Sequence, residues 1–291
     1  MTLLDQAVRP LTEREFRQFQ AWIHREAGIY LSDVKQPLLV GRLSRRVREL
    51  GLESFGAYFE YATGGAHPDE RMELLNRICT HETHFFREPR QFEFLERTLI
   101  PGWLAEGVAG GRPRRIRAWS AGCSSGEEPY SVAMSLLAQL PDDWQVEVLA
   151  TDLSTRILGR ARDAVWPIAK AEEIPSDYRR RFMLRGRGEQ AGRMRAGPEI
   201  RNVVRFQSLN LHAEHYPVAA PFDLILCRNV LIYFDAPSRE RVARRLLSLL
   251  APDGFLFLGH AESLNALPDR PRSIIPTVYS PSSPSYVMER V

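Results

Sequence analysis

Apolar positions change their spacing near residue 113. Before it they recur at helical intervals. Phe16, Phe19, Trp22 and Ile23 follow a Thr12–Glu15 capping-box signature, and Leu39, Leu43, Val47 and Leu50 share one face of a second stretch, about 32–50, that stops at Gly51. Further helices are predicted around 54–62, 68–79 and 89–106, and the glycine-rich run GVAGGRP (107–113) marks a boundary. Beyond it, short apolar runs at 116–120, 146–150, 203–206, 222–227 and 254–258 predict strands, with helices expected at 129–140, 154–164 and 239–250. That alternation predicts a parallel sheet with helices on both faces. The stretch 178–202 interrupts it, being rich in glycine and without an apolar helix face, and is expected to hold two or three short antiparallel strands. SPSSPS (280–285) is expected as a turn between final edge strands. The expected fold class is α/β: a small N-terminal helical domain (1–88), a linker helix with its glycine-rich break (89–113), and a C-terminal Rossmann-like, doubly wound domain (114–291) with a small antiparallel β insertion.

Composition narrows the function classes without choosing one. With 291 residues, 44% hydrophobic and 26% charged, the chain is disfavoured as disordered, collagen-like or coiled coil. No apolar run approaches the ~18 residues of a membrane span, and the N-terminus has no signal-peptide core, so a cytoplasmic, uninserted protein is expected, with a monomer as default. Cys79, Cys123 and Cys227 form no CxxC pair, which argues against a zinc ribbon or a disulfide framework. No base arrangement accompanies them either, so they are expected as buried fillers rather than nucleophiles. His81/His84 and His212/His215 have i,i+3 spacing but no clear third ligand, and no metal is expected. A net charge of +3 carries no claim about nucleic acid. One local cluster does stand out: the face of the helix at 33–50 away from its apolar positions carries Lys35, Arg42, Arg45, Arg46 and Arg48 against Glu49 alone.

In a doubly wound sheet ligands sit outside the carboxyl ends of the strands, so the residues following each strand carry the chemistry. The first such loop is AGCSSGEE (121–128), where Gly122 and Gly126 permit tight turns. Two carboxylates, Glu127 and Glu128, open the next helix where a phosphate would need bare N–H groups, so a pyrophosphate ligand is disfavoured. Asp152, at the end of the second strand, is placed to reach ribose hydroxyls. Loop and acid together fit S-adenosylmethionine, which has a ribose, an adenine, a cationic sulfonium and no phosphate.

Longer blocks extend that reading. THFFRE (83–88), AWSAGCSSGEEPYSVAM (118–134), LATDLS (149–154), SLNL (208–211), FDLILCRNVLIYFD (222–235) and LAPDGFLFLGHAES (250–263), with GIYL (28–31), resemble the chemotaxis receptor methyltransferases in family order along nearly the whole chain. The resemblance implies a class I methyltransferase fold and an S-adenosylmethionine-dependent enzyme that esterifies glutamate side chains of bacterial chemoreceptors, releasing S-adenosylhomocysteine. It implies that Glu127 and Asp152 hold the methionyl and ribose parts, with Gly122 in the loop between them. Asn210 and Leu211 would frame the adenine, Cys227, Arg228 and Asn229 would line the floor, and Thr83 and Arg87 would close over the top. Arg87 and Tyr233 are the implied substrate-positioning residues. His81 stands where the family commonly has Asn, and Ala261 where it commonly has Ser. An imidazole still donates a hydrogen bond, which keeps His81 among the expected cofactor contacts. Arg42, Arg45, Arg46 and Arg48 are expected to dock the receptor, while Gly186, Gly188 and Arg195 in the insertion are expected to tether a peptide from its C-terminus. Two other functions compete with this one. A nucleic-acid methyltransferase is disfavoured by the single dense basic patch and by CRNVLIYF after the fourth strand in place of a proline-rich base-flipping motif. A non-catalytic docking or cofactor-sensing protein is disfavoured by the retained Arg87, Asp152, Arg228 and Tyr233.

Overall fold

The computed structural model describes residues 8–265, 267 and 271–281. Its N-terminal lobe packs four helices, α1 (Glu13–Ala27), α2 (Gln36–Glu49), α3 (Phe55–Thr63) and α4 (Pro68–Ile78), around one core that includes Phe16, Phe19, Trp22, Leu39, Leu43 and Tyr58. Thr12 and Glu15 form the expected capping box, and Glu15 also accepts the Gly56 N–H at 2.7 Å, so one carboxylate starts α1 and fixes α3. α1 ends at Gly28 in the left-handed conformation (φ 69°). A Cβ there would lie 2.5 Å from His212 Nδ1, so this glycine also lets the two lobes touch.

A long helix follows in two α segments, α5 (Pro89–Phe94) and α6 (Ile100–Val108), joined by a π turn over Leu95–Leu99. Sequence spacing suggested a linker here. Instead Phe92, Phe94, Leu95, Leu99, Ile100 and Trp103 belong to the same core cluster as the central strands, so the lobes are joined by 79–88 and the helix lies with the sheet. The physical reason is the apolar face itself, which a linker would leave in water.

The strands are β1 (Arg115–Ala121), β2 (Gln145–Asp152), β6 (Val204–Ser208), β7 (Phe222–Cys227), β8 (Leu250–Leu258), β9 (Arg272–Ile275) and β10 (Val278–Ser280), set in the order β6-β2-β1-β7-β8-β10-β9. The first five are parallel, and β10 enters antiparallel between β8 and β9. Helices α7 (Glu127–Gln139), α8 (Thr155–Asp163) and α11 (Ala236–Ser248) connect them. The chain runs outward from β1 through β2 to β6, then returns to place β7 on the other side of β1. That reversal opens a crevice at the carboxyl ends of β1 and β7.

The insertion is a separate three-stranded antiparallel sheet, β3 (Val165–Pro167), β5 (Arg193–Ala196) and β4 (Met183–Arg185), in the order β3-β5-β4. It begins at 165 rather than 178, and it includes two short helices, α9 (Ser176–Phe182) and α10 (Pro198–Val203). Their seven and six residues are too few for a helical period to show in sequence. The last hairpin turns at Pro276–Thr277, ahead of SPSSPS, of which 282–285 lie outside the described residues. Among the described residues no helix is long and apolar enough to cross a membrane.

Candidate active site

The crevice is floored by the ends of β1, β2 and β7 and roofed by the strap 79–88 and the N-terminal lobe. Its floor is set by backbone bonds: the Gly122 and Cys123 N–H groups donate to Thr151 O at 2.8 and 2.9 Å, folding the first loop back beside Asp152. Asp152 then accepts from Ser124 N and Ser154 N, each at 2.9 Å. Burial lifts the Asp152 pKa above its ordinary value even though these two donors favour the ionised form. His81 faces it from the strap, and burial lowers the imidazole pKa although Asp152 pulls the other way.

The strap is fastened by the C-terminal lobe. Phe85 N donates to Glu173 at 2.9 Å and Phe86 N to Ser131 Oγ at 3.0 Å, while Lys170 and Ser124 donate to the carbonyls of Thr83 and His81. Arg228 donates to Arg87 O at 2.5 Å. Arg228 is itself buried, paired with Glu128 at 2.7 Å, bonded to Gln91 at 3.1 Å, and stacked over Phe92. It is thus a buried structural hub within the crevice wall, not a surface ion-pair former. Arg87 differs: it lines the crevice, donates to Glu82 O at 3.1 Å, and has no carboxylate within ion-pair distance among the described residues.

The crevice brings His81, Thr83, Arg87, Gly122, Asp152, Asn210, Leu211, Arg228, Asn229 and Tyr233 to one surface. Two expected contacts fall elsewhere. Glu127 is buried away from the crevice, its carboxylate taken by Lys170 at 2.7 Å and Ser125 at 2.6 Å, and its neighbour Glu128 lines the wall instead. The helix begins at Glu127, so successive carboxylates leave it about 100° apart and only one faces the ligand side. Cys227 is fully buried in the apolar cluster below β7, where desolvation raises its thiol pKa well above the ordinary value. Asn210 lines the crevice, yet its amide donates to Glu26 O on α1 at 2.6 Å, tying the lobes together.

The basic helix also changes meaning. Arg46 forms a two-bond pair with the buried Glu70, at 2.9 and 2.5 Å, and Glu70 also accepts from Tyr58. Arg42 donates to the Ile78 carbonyl and, at 2.6 Å, to Thr80, and it lines the crevice. Arg48 caps back onto Ser44 O at 3.2 Å. Only Arg45, paired at an exposed site with Glu49, stands out in solvent, so four aligned docking arginines are not what α2 presents. In the insertion Gly186 closes the turn, since a Cβ there would sit 2.0 Å from Gln190 O, and Gly188 is left-handed at φ 57°. Arg195 is exposed on β5, the middle strand, where both backbone edges are already paired.

Glu262 is the residue that sequence reasoning missed. Its buried carboxylate accepts from Gly259 N at 2.6 Å, Asn229 N at 2.9 Å and Ile232 N at 3.2 Å. It thereby shapes the loop 228–235, in which Asn229 is left-handed (φ 58°). Burial raises the Glu262 pKa despite those donors. The GHAES block contains this acid, but nothing in its spacing ties it to a loop thirty residues earlier.

The walls suit S-adenosylmethionine. Asp152 offers a carboxylate at the end of β2, and the buried His81 Nε2 and Asn229 Oδ1 have no hydrogen-bond partner among the described residues. The acids of the crevice would repel a phosphate and tolerate a sulfonium. A β6-β2-β1-β7-β8-β10-β9 sheet with its penultimate strand reversed, carrying this crevice, defines a class I methyltransferase. Comparison with known proteins then places it more narrowly. The model of the CheR methyltransferase SAM binding domain matches residues 81–279, and that of its all-alpha domain matches 14–79. Chemotaxis protein methyltransferase 2 of Pseudomonas aeruginosa is 39% identical over 272 residues, covering 93% of this chain and 94% of that protein. The chemotaxis protein methyltransferase of Escherichia coli is 38% identical over 263 residues, covering 89% and 88%. That of Borreliella burgdorferi is 34% identical over 257 residues, covering 87% and 89%. The chain belongs to the CheR methyltransferase family and is an S-adenosylmethionine-dependent methyltransferase.

Proposed function

We propose that this enzyme methyl-esterifies glutamate side chains on the cytoplasmic helices of bacterial chemoreceptors. The observation that carries the reading is the crevice itself, which holds Arg87, a guanidinium without a carboxylate partner among the described residues, on the same surface as Tyr233 and the Asp152 floor. S-adenosylmethionine, when bound, supplies an electrophilic methyl group on a sulfonium. A glutamate, with an ordinary pKa of about 4.3, arrives already ionised at neutral pH, so the protein has no proton to remove. Arg87 holds the acceptor carboxylate with its fork of N–H donors, and Tyr233 orients it through its hydroxyl. Both act mainly by alignment, because a grip that is too strong would stabilise the charged ground state over the less charged transition state.

Asp152 and His81 hold the nucleoside end, with Thr83, Gly122, Leu211 and Asn229 shaping the walls. Calorimetry with Asp152→Ala is expected to show cofactor affinity weakened by roughly 1.5–3 kcal/mol through loss of a charge-assisted hydrogen bond. Unchanged affinity in the folded variant removes Asp152 from the site. Receptor docking falls to Arg45 and Lys35 at the crevice side of α2, and a C-terminal receptor peptide adds to the outer edge of β4, beside Gly186 and Gly188. The test of the function is transfer of labelled methyl from the cofactor into receptor fragments, compared with DNA and RNA. Label in the receptor that is released by mild base identifies a carboxyl ester. Label confined to nucleic acid overturns the reading, as does cofactor binding without turnover.

A further inference from the structure

Tyr30, Val34, Leu38 and Ile232 are large apolar side chains left substantially in water, at 51, 86, 37 and 42% exposure. Soluble proteins scatter such residues singly, but these four, of six such residues described, all lie on segments that border the crevice. Leu38 and Ile232 line the crevice, one from α2 and the other from the loop of the opposite lobe. Val34 sits in the 3-10 turn Asp33–Lys35 that leads into α2, next to Lys35 of the crevice lining and four residues before Leu38. The Tyr30 N–H donates to Tyr233 O at 2.8 Å, which sets the Tyr30 backbone against the loop segment that carries Ile232 and Tyr233. Lys35 completes the rim from within the crevice lining, and Arg45 extends the same face of α2 away from it.

We propose that these four residues form an apolar collar around the crevice mouth, which seats the acceptor helix and selects glutamates whose neighbours one turn away are apolar. The inference rests on the functional reading above and adds what the enzyme recognises around the reacting side chain. A helix is about 10–12 Å across, and residues at i±3 and i±4 share a face with residue i, so a glutamate entering the crevice carries its neighbours onto the rim. The rim that meets them is apolar on two sides and basic on a third. It therefore matches an amphipathic, acid-bearing helix and would leave charged neighbours desolvated against Val34 and Ile232. Continuity with the crevice, to which both lobes contribute, argues for the acceptor helix over an unrelated partner.

The test replaces the two collar residues outside the crevice lining with neutral polar ones, Tyr30→Ser together with Val34→Ser. Methyl transfer into a receptor helical-bundle fragment is then measured at low and high salt. The expected result is a roughly tenfold higher KM for the fragment, with turnover at saturation and cofactor affinity by calorimetry near wild type. The rise should persist at salt concentrations that screen the Arg45 and Lys35 contacts, since apolar burial is not screened. In the acceptor, lysine at i±3 or i±4 from a methylated glutamate should raise KM for wild type far more than for the double variant. An unchanged KM in the double variant overturns the collar while leaving glutamate methylation intact. Failure of wild type to label any receptor fragment overturns the functional reading instead.

Discussion

Two segments border the crevice, the strap 79–88 and the loop 228–235, and they are held in different ways. The strap is tied through backbone groups by five separate side chains, from Ser124, Ser131, Lys170, Glu173 and Arg228. In the loop the N–H groups of Asn229 and Ile232 converge on one carboxylate, Glu262, while Arg239 holds the Leu231 and Phe234 carbonyls at 3.3 Å, Arg228 pairs with Glu128, and a backbone bridge runs from Ile29 and Tyr30 to Phe234 and Tyr233. Distributed anchorage tolerates the loss of any single tie, whereas concentrated anchorage does not. The N–H groups of the segment carrying Tyr233 are therefore the part of the border most exposed to a single substitution, at Glu262.

The sharpest way to break that comparison is Arg87→Ala. Turnover at saturating cofactor is expected to fall about a hundredfold or more through lost alignment, with the thermal midpoint almost unmoved because the guanidinium has no buried partner. Near-normal turnover would remove Arg87 from the site. Next in size is Glu262→Ala, which leaves three N–H donors without their acceptor at about 1–3 kcal/mol for each one kept dry. Turnover is expected to drop about tenfold with a midpoint several degrees lower, and Glu262→Gln, which keeps one acceptor oxygen, should recover part of both.

Acidification offers a finer probe of the same carboxylate. Burial raises the folded Glu262 pKa above the ordinary glutamate value, so the folded state takes up its proton first as pH falls. That group therefore adds stability below its unfolded pKa, and the contribution disappears as pH rises through the folded value. Turnover should move the other way, falling as protonation removes an acceptor from the loop, and Glu262→Gln should abolish this step. The smallest effect is expected from Ser131→Ala in the strap, about 1 kcal/mol or less in stability, with turnover within roughly twofold of wild type. A larger loss would show that the strap, too, hangs on one tie.

The alternation of helices and strands was legible because the parallel strands are buried on both faces and read as apolar runs, and the acid after β2 sat where strand ends place ligands. What escaped were partnerships across long stretches of chain. Glu70 neutralises Arg46 from another helix, Lys170 claims Glu127, and Glu262 organises a loop thirty residues before it. Charge counts along one helix cannot register a carboxylate arriving from a neighbour, which is why α2 looked like a free basic face. The insertion boundary escaped for a different reason, since β3 has three residues and α9 seven, too short for either period to show.

The seam between the lobes has a further consequence. It mixes two kinds of contact: Tyr30 meets Tyr233 through N–H and C=O and Ile29 bridges Phe234, while side chains add Asn210 on the Glu26 carbonyl, His24 on Asp235 and Arg156 on Glu73. The main-chain part of that seam is indifferent to most residue identities, so a helical lobe that also keeps the three side-chain ties becomes an interchangeable module. Chimaeras cut after Ile78, which leave the strap with the sheet that fastens it, are expected to inherit acceptor preference from one parent and cofactor affinity from the other. Lineages would be free to re-aim the enzyme by trading one lobe while its catalytic half drifts separately.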